Sequence, residues 1–108
     1  MKLYIGGAYQ GQNELAAFEN PDAEIITDFH ETVRRLLKDG VNAADYAREI
    51  CAEKPDAVIC ANEIGSGIVP VDPEERRWRE AAGRALCVIA QNAGEVVRVV
   101  CGIGCRIK

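Results

Sequence analysis

Three short stretches carry residues whose types and spacing could do chemistry. The first is Gly6-Gly7-Ala8-Tyr9-Gln10-Gly11-Gln12-Asn13, set between a strand-like run and a helix-favouring one. Glycine, four residues, glycine, after a strand and before a helix, is the skeleton of a phosphate-binding loop. Such a loop cradles an anion with backbone N–H groups at a helix N-terminus. In the complete motif a lysine and then a serine or threonine follow the second glycine; here Gln12 and Asn13 stand there. The backbone donors survive that change. The lysine's charge on the terminal phosphates is gone, and so is the hydroxyl that would ligate magnesium. A charge-assisted hydrogen bond contributes roughly 1.5–3 kcal/mol, so its loss weakens triphosphate binding by about one to two decades. The transition state of phosphoryl transfer suffers more. The same glycines also suit a plain strand-to-helix turn.

The second stretch is Asn62 to Pro70, which follows the apolar run Ala57-Val58-Ile59-Cys60-Ala61. That run reads as a buried parallel strand, and loops at the carboxyl ends of such strands are where ligands bind. Asn62 and Glu63 are the first side chains beyond the expected strand, and Gly65 and Gly67 allow close backbone approach. The alternative is a connection whose glycines serve only the turn. The third stretch holds Asp28 and His30. Asp28 closes the run Ile25-Ile26-Thr27, where a magnesium-associated acid would stand, and it equally suits capping the helix that starts near Phe29. His30 is the one histidine. Beside an aspartate it suggests acid–base chemistry, since its ordinary pKa is about 6.5; the other reading is a solvated residue in a helix's first turn.

The elements that must position these residues follow from periodicity and caps. Strands are expected at 2–6, 24–28, 57–61, 96–101 and 105–107. A helix-favouring stretch covers 14–19. Phe29, Val33, Leu36 and Leu37 share one face of a helix over 29–38, and Asn42 caps the next, with Ala43, Tyr46, Ala47, Ile50 and Cys51 in period. Asp72 and Pro73 open a helix to about Asn92, with Trp78, Ala82, Ala85, Ile89 and Asn92 in one stripe. Arg76, Arg77, Arg79 and Arg84 read as a solvated face with Glu–Arg pairs, though one could reach a phosphate near the loop. The order is that of a small three-layer α/β domain with a mostly parallel sheet, one domain over residues 1–108.

Composition narrows the function classes. With 48% hydrophobic residues and 28% charged, the chain is globular and can bury a core. A net charge of −4 argues against nucleic acid or a membrane surface as partner. No run reaches a membrane span, and the opening Met1 to Gly7 meets glycines too soon for a signal peptide, so the expected location is the cytoplasm. Five cysteines without a C-x-x-C pair suit neither a disulfide framework nor zinc. They are expected to be reduced and buried, and no structural metal is expected. Cys101 and Cys105 could chelate a metal, but no histidine stands near them in sequence.

Several of these residues resemble a known family. Asn62-Glu63-Ile64-Gly65-Ser66-Gly67-Ile68-Val69-Pro70 is similar to the N-E-V-G-x-G-I-V-P signature of the bifunctional adenosylcobinamide kinase/adenosylcobinamide-phosphate guanylyltransferases. Arg76-Arg77-Trp78-Arg79-Glu80-Ala81-Ala82-Gly83-Arg84 resembles that family's R-R-F-R-D-x-A-G-R helix. The end, Val96 through Lys108, is similar to its closing V-V-x-V-V-x-G-x-x-x-x-[LI]-K. Ile5-Gly6-Gly7-Ala8 opens like its phosphate loop. The resemblance implies a P-loop-type sheet, usually oligomeric, and a role in cobalamin assembly. Family members phosphorylate adenosylcobinamide with a nucleoside triphosphate, then transfer GMP from GTP through a guanylylated histidine.

The chain departs from the family at Gln12 and Asn13. It also carries only a turn around Asn20-Pro21-Asp22 where the family has dozens of residues, among them that histidine, so one strand–helix segment is missing. His30 lies after the strand ending at Asp28 and does not match the guanylylated position. The resemblance therefore implies a GTP- or ATP-binding protein with magnesium, built on Gly6 to Asn13, Asp28, Asn62, Glu63 and Gly65, with a corrinoid as second ligand. Its catalytic residues are unassigned and its activity is reduced or lost. The alternative is a non-catalytic regulatory or assembly protein that covers its exposed sheet edge as a homo-oligomer or with a partner. A hydrolase built on Asp28 and His30 is the third reading.

Overall fold

The computed structural model describes residues 1–65 and 67–108; Ser66, within the expected 62–70 ligand loop, lies outside the described residues. The order is β1 (Lys2–Gly6), α1 (Gln12–Glu19), β2 (Ile25–Ile26), α2 (Phe29–Lys38), α3 (Ala43–Glu53), β3 (Val58–Asn62), α4 (Pro73–Asn92), β4 (Glu95–Val100) and β5 (Ile103–Arg106). The caps act as their residue types dictate. Asn42 accepts the N–H of Asp45 at the start of α3, and Asp72 accepts that of Glu74 at the start of α4, with Pro73 at the first helical position.

The sheet runs β2-β3-β1-β4-β5, parallel except for β5, which pairs antiparallel with β4. Alternation along the strands splits the core in two. On one face Tyr4, Val58, Cys60, Val97 and Val99 pack against Ala16 of α1. On the other, Leu3, Ile59, Ala61 and Val96 meet Phe29 and Val33 of α2, Ala47 and Ile50 of α3, and Ala82, Ala85 and Ile89 of α4. The result is a three-layer, P-loop-NTPase-like α/β fold. β1 lies between β3 and β4, so the chain leaves β1 toward one side of the sheet and later returns on the other. That places a topological switch point at its carboxyl end, where open α/β sheets form their ligand crevice.

The boundaries correct several expectations. β2 holds only Ile25 and Ile26 instead of 24–28, because its ladder with β3 stops at Ile26 and the chain swings away into α2. Asp28 therefore lies outside the strand, in left-handed geometry (φ 54°), at the N-cap position of α2 but with no side-chain capping bond. β3 runs one residue further than expected and includes Asn62; α1 begins at Gln12 instead of Glu14. Cys101 and Gly102, with φ of 51° and 75°, form a two-residue hairpin loop between β4 and β5, so β5 starts at Ile103. Of the cysteines only Cys60 is buried; Cys51 is half-buried and Cys87, Cys101 and Cys105 are exposed, all five free thiols. Burial as small hydrophobes fails for those last three, because they fall on the outer face of α4 and on an uncovered hairpin. Leu37 and Asn92 likewise end on the solvent side of their helices. No helix among the described residues is long and apolar enough to cross a membrane.

Two glycines make opposite predictions. A Cβ on Gly6 would sit 2.5 Å from the backbone oxygen of Val99, whereas one on Gly83, mid-way along α4, meets nothing within 4 Å. Gly6→Ala is expected to destabilise by about 1–3 kcal/mol through overpacking. Gly83→Ala is expected to stabilise by about 0.5–1 kcal/mol. Guanidinium unfolding of both variants checks the pair.

Candidate functional site

At the switch point, an open cleft of about 710 Å³ is bordered by Ala8, Tyr9, Gly11, Gln12 and Asn13 from the glycine loop, Asp28 before α2, and Asn62 at the end of β3. Glu14, Leu15 and the hairpin's Gly102 complete it. The structure thus gathers most of the residues singled out from the sequence. Gly6 and Gly7 do not line it; their carbonyls accept from the Gln12 amide, and Gln10 bonds the hairpin. Glu63 and Gly65 stand apart. Glu63 reaches Arg98 on β4 at 3.4 Å, and the Gly65 carbonyl accepts from Arg79.

The loop is organised around a buried side-chain amide. Gln12 is 5% exposed, and its Nε2 donates to Asn62 Oδ1 at 2.7 Å, with the carbonyls of Gly7 (3.1 Å) and Gly6 (3.2 Å) beside it. The position where a phosphate-loop lysine would stand is therefore filled by a neutral donor that ties the loop to β3. Gln10 ties it on the other side. Its carbonyl accepts from Gly102 N–H and its Oε1 from Cys101 N–H, each at 2.7 Å.

Between these anchors the start of α1 is bare. Gly11 occupies its N-cap with φ 90° and no side-chain cap, and the N–H groups of Gly11, Gln12, Asn13 and Glu14 find no acceptor among the described residues. Four such orphan donors at a helix start are what an anion completes. The non-glycine residues of the described chain with positive φ are Tyr9, Asp28 and Cys101. Tyr9 and Asp28 line the cleft and Cys101 adjoins it through Gly102. Left-handed geometry costs about 1–2 kcal/mol per residue, and such strain collects at functional sites. No lysine or arginine is among the cleft's lining residues, while Asp28 and Glu14 are.

His30 is not the solvated residue that its place in a helix's first turn suggests. It is 5% exposed, and its Nδ1 accepts the backbone N–H of Asn62 at 3.0 Å. Its own carbonyl accepts from Trp78 Nε1 at 2.7 Å, and the Arg34 guanidinium lies 3.8 Å over the Trp78 ring. Burial holds the imidazole below its ordinary pKa; Arg34 adds to that, and Glu31 and Asp28 oppose it. The arginines of α4 also differ from a simple solvated face. Arg76 donates to the carbonyls of Pro70 and Val71 and Arg79 to those of Ile68 and Gly65, while Arg84 pairs with Glu80. The two clamps tie the carbonyls of Gly65, Ile68, Pro70 and Val71 to α4. Gly102, Leu15 and the acceptor role of His30 had no signal in the sequence, since each depends on packing between distant segments.

Comparison with known proteins follows the same lines. The family model for cobinamide kinase / cobinamide phosphate guanyltransferase matches residues 13–107, a stretch that begins just after the second glycine of the loop. The bifunctional adenosylcobalamin biosynthesis protein CobU of Salmonella typhimurium is 37% identical over 79 residues, and its Escherichia coli counterpart is 47% identical over 79. Each match covers 73% of this chain and 42% of the relative, so the chain spans less than half the length of either.

The imidazole predicts a pH dependence. With its folded pKa depressed below 6.5, the folded protein binds fewer protons at His30 than the unfolded chain does. This contribution to stability is present above pH 6.5 and is lost as pH falls below it toward the depressed value. Melting temperature should therefore drop between about pH 7 and pH 5, and His30→Asn should flatten that part of the profile. A slope unchanged by the substitution would assign the drop to carboxylates.

Proposed function

The chain belongs to the cobinamide kinase / cobinamide phosphate guanyltransferase family, and from that premise we propose that it is a nucleotide-binding protein of adenosylcobalamin biosynthesis with a degenerate phosphate loop. Its ligand is GTP or ATP, seated in the cleft between the glycine loop and Asn62, with a corrinoid as the second ligand. Residues 1–108 act as one domain. The observation that carries this reading is the run of unsatisfied N–H groups from Gly11 to Glu14, at the start of a helix that opens into the cleft.

The charge balance sets how the ligand is held. A triphosphate meets backbone donors but no lysine, and it meets the carboxylates of Asp28 and Glu14. Magnesium resolves that conflict. It is usually held by one or two carboxylates together with substrate phosphates, and the donor set here fits an ion that arrives with the nucleotide. Asp28 would hold it; among the described residues no group of three candidate ligands makes a resident metal site. The ion supplies charge neutralisation when bound. The protein's own residues supply the cradle: the N–H groups of the loop and helix start orient the phosphates, and the Asn13 side chain stands where a hydroxyl would be. Without the lysine, stabilisation of the transferring phosphoryl group is weak, so kinase turnover is reduced or lost while binding persists.

A second reading is favoured by one surface. β5 is exposed along its whole length, and Val100, Ile103 and Ile107 leave the hairpin's apolar side uncovered. A non-catalytic role as a homo-oligomer, or with a partner, would cover that edge. Light scattering that finds a monomer at high concentration would remove the oligomer form of this reading.

Calorimetry with GTP, ATP, GMP and cobinamide phosphate, with and without magnesium, tests the main reading. Heat with GTP or ATP that disappears in a chelator is expected. No heat with any of them, at concentrations able to detect millimolar affinity, would end it. Gln12→Lys restores the missing charge and is expected to tighten triphosphate binding by about one to two decades.

A further inference from the structure

We propose that His30 is a positioning residue for the glycine loop, acting through Asn62 on Gln12 from the opposite face of the sheet. The inference goes beyond the nucleotide reading and rests on it only for what the loop binds.

The strand geometry explains why a histidine is needed. In β3 the N–H groups of alternate residues point to opposite neighbours. Glu63 N–H donates to Gly6 of β1, and Val58 N–H donates to Glu24 beside β2. Asn62 shares the phase of Val58, so its N–H points toward the β2 side. β2 ends at Ile26, opposite Ile59, and supplies nothing that far along. A buried N–H left without an acceptor is costly. His30 Nδ1 takes that place at 3.0 Å.

Fixing the backbone of Asn62 fixes its side chain. Asn62 Oδ1 accepts from Gln12 Nε2 at 2.7 Å, the shortest of the bonds that hold Gln12 among the loop carbonyls. Gln12 also contributes the first N–H of α1, so its orientation sets the donors that face the cleft. The ring is itself locked. It is buried beside Trp78, whose Nε1 holds the His30 carbonyl, and Arg34 is stacked on that indole with Glu75 at 3.5 Å. α2 and α4 thereby set the loop after β1, although neither lines the glycine loop.

Two variants separate an acceptor role from packing. His30→Asn keeps an acceptor at the Nδ1 position with a smaller side chain; His30→Phe keeps the ring and removes the acceptor. The readout in ligand-free protein is the NMR signal of the Gln12 side-chain amide and of the Gly11–Asn13 backbone amides. A second readout is the affinity for GTP with magnesium. His30→Phe is expected to shift the Gln12 signals and weaken GTP by about tenfold, the loss of one hydrogen bond's worth of order, while His30→Asn retains both. Unchanged Gln12 signals in His30→Phe, or equal shifts in the two variants, would overturn the proposal. Should His30→Phe fail to fold, Asn62→Ala cuts the same path at its second link. It must shift the Gln12 side-chain amide and leave the Trp78 indole signal in place, and failure to do so equally overturns the proposal. If the Gln12 signals follow the acceptor but no GTP binds even to the unaltered protein, the positioning role stands and the nucleotide reading falls.

Discussion

The placement of the Gln12 amide constrains the whole carboxyl edge of the sheet. A buried NH₂ group must find oxygens, and leaving one donor bare costs about 1–3 kcal/mol. Here the oxygens come from Gly6 and Gly7 on one segment and from Asn62 on another fifty residues away. Satisfying that amide closes the loop on itself and brings β1 and β3 to a common end; on the other side of β1, Gly6 pairs with Val99 of β4 so closely that no side chain fits. A lysine in the same place would carry its charge toward a ligand. Glutamine spends its donors inside the protein.

That exchange shapes the chemistry. A loop satisfied from within is formed before any ligand arrives, and its orphan donors at the start of α1 are pre-organised. The opposing cost is charge, because the cleft offers two carboxylates and no cation among its lining residues. Pre-organisation favours an anion at these donors, and the two carboxylates oppose it. Chemistry on a phosphate needs the charge that rises in the transition state to be met. Among its lining residues the cleft offers no cation for that role.

Much of the fold was legible, and the reasons are local. α2 and α4 begin and end where apolar period, Asp72 and Pro73 say they should, and Asn42 caps α3 with its own side chain. Those signals act over a few residues. What escaped depends on distant pairing. β2 is short because β3 stops pairing with it, which no property of residues 24–28 reveals. Asp28 leaves the strand for the same reason. His30 reads as a surface residue from its place in a helix's first turn, and it is buried because β3 and Trp78 converge on it. Cys101 reads as strand from its apolar neighbours, yet the hairpin demands positive φ there and exposes its thiol. The glycine loop turns where glycine spacing, a backbone requirement, places a turn, whereas strand alternation, hidden by the adjacency of Glu63 to Asn62, sends Glu63 to Arg98.

The relation to longer relatives fits this division. The family match starts at Asn13, yet the glycine loop before it has its geometry fixed from both sides by matched segments: Asn62 holds it through Gln12, and Cys101 and Gly102 hold it through Gln10. A loop clamped to two strand ends keeps its shape through the side chains of Gln12 and Gln10. Asn62 and the hairpin turn are the partners of those two side chains, and losing either would release the loop. Residue 12 is thus a structural position here: its buried amide joins the loop to β3, and the N–H groups at the start of α1 are left facing the cleft.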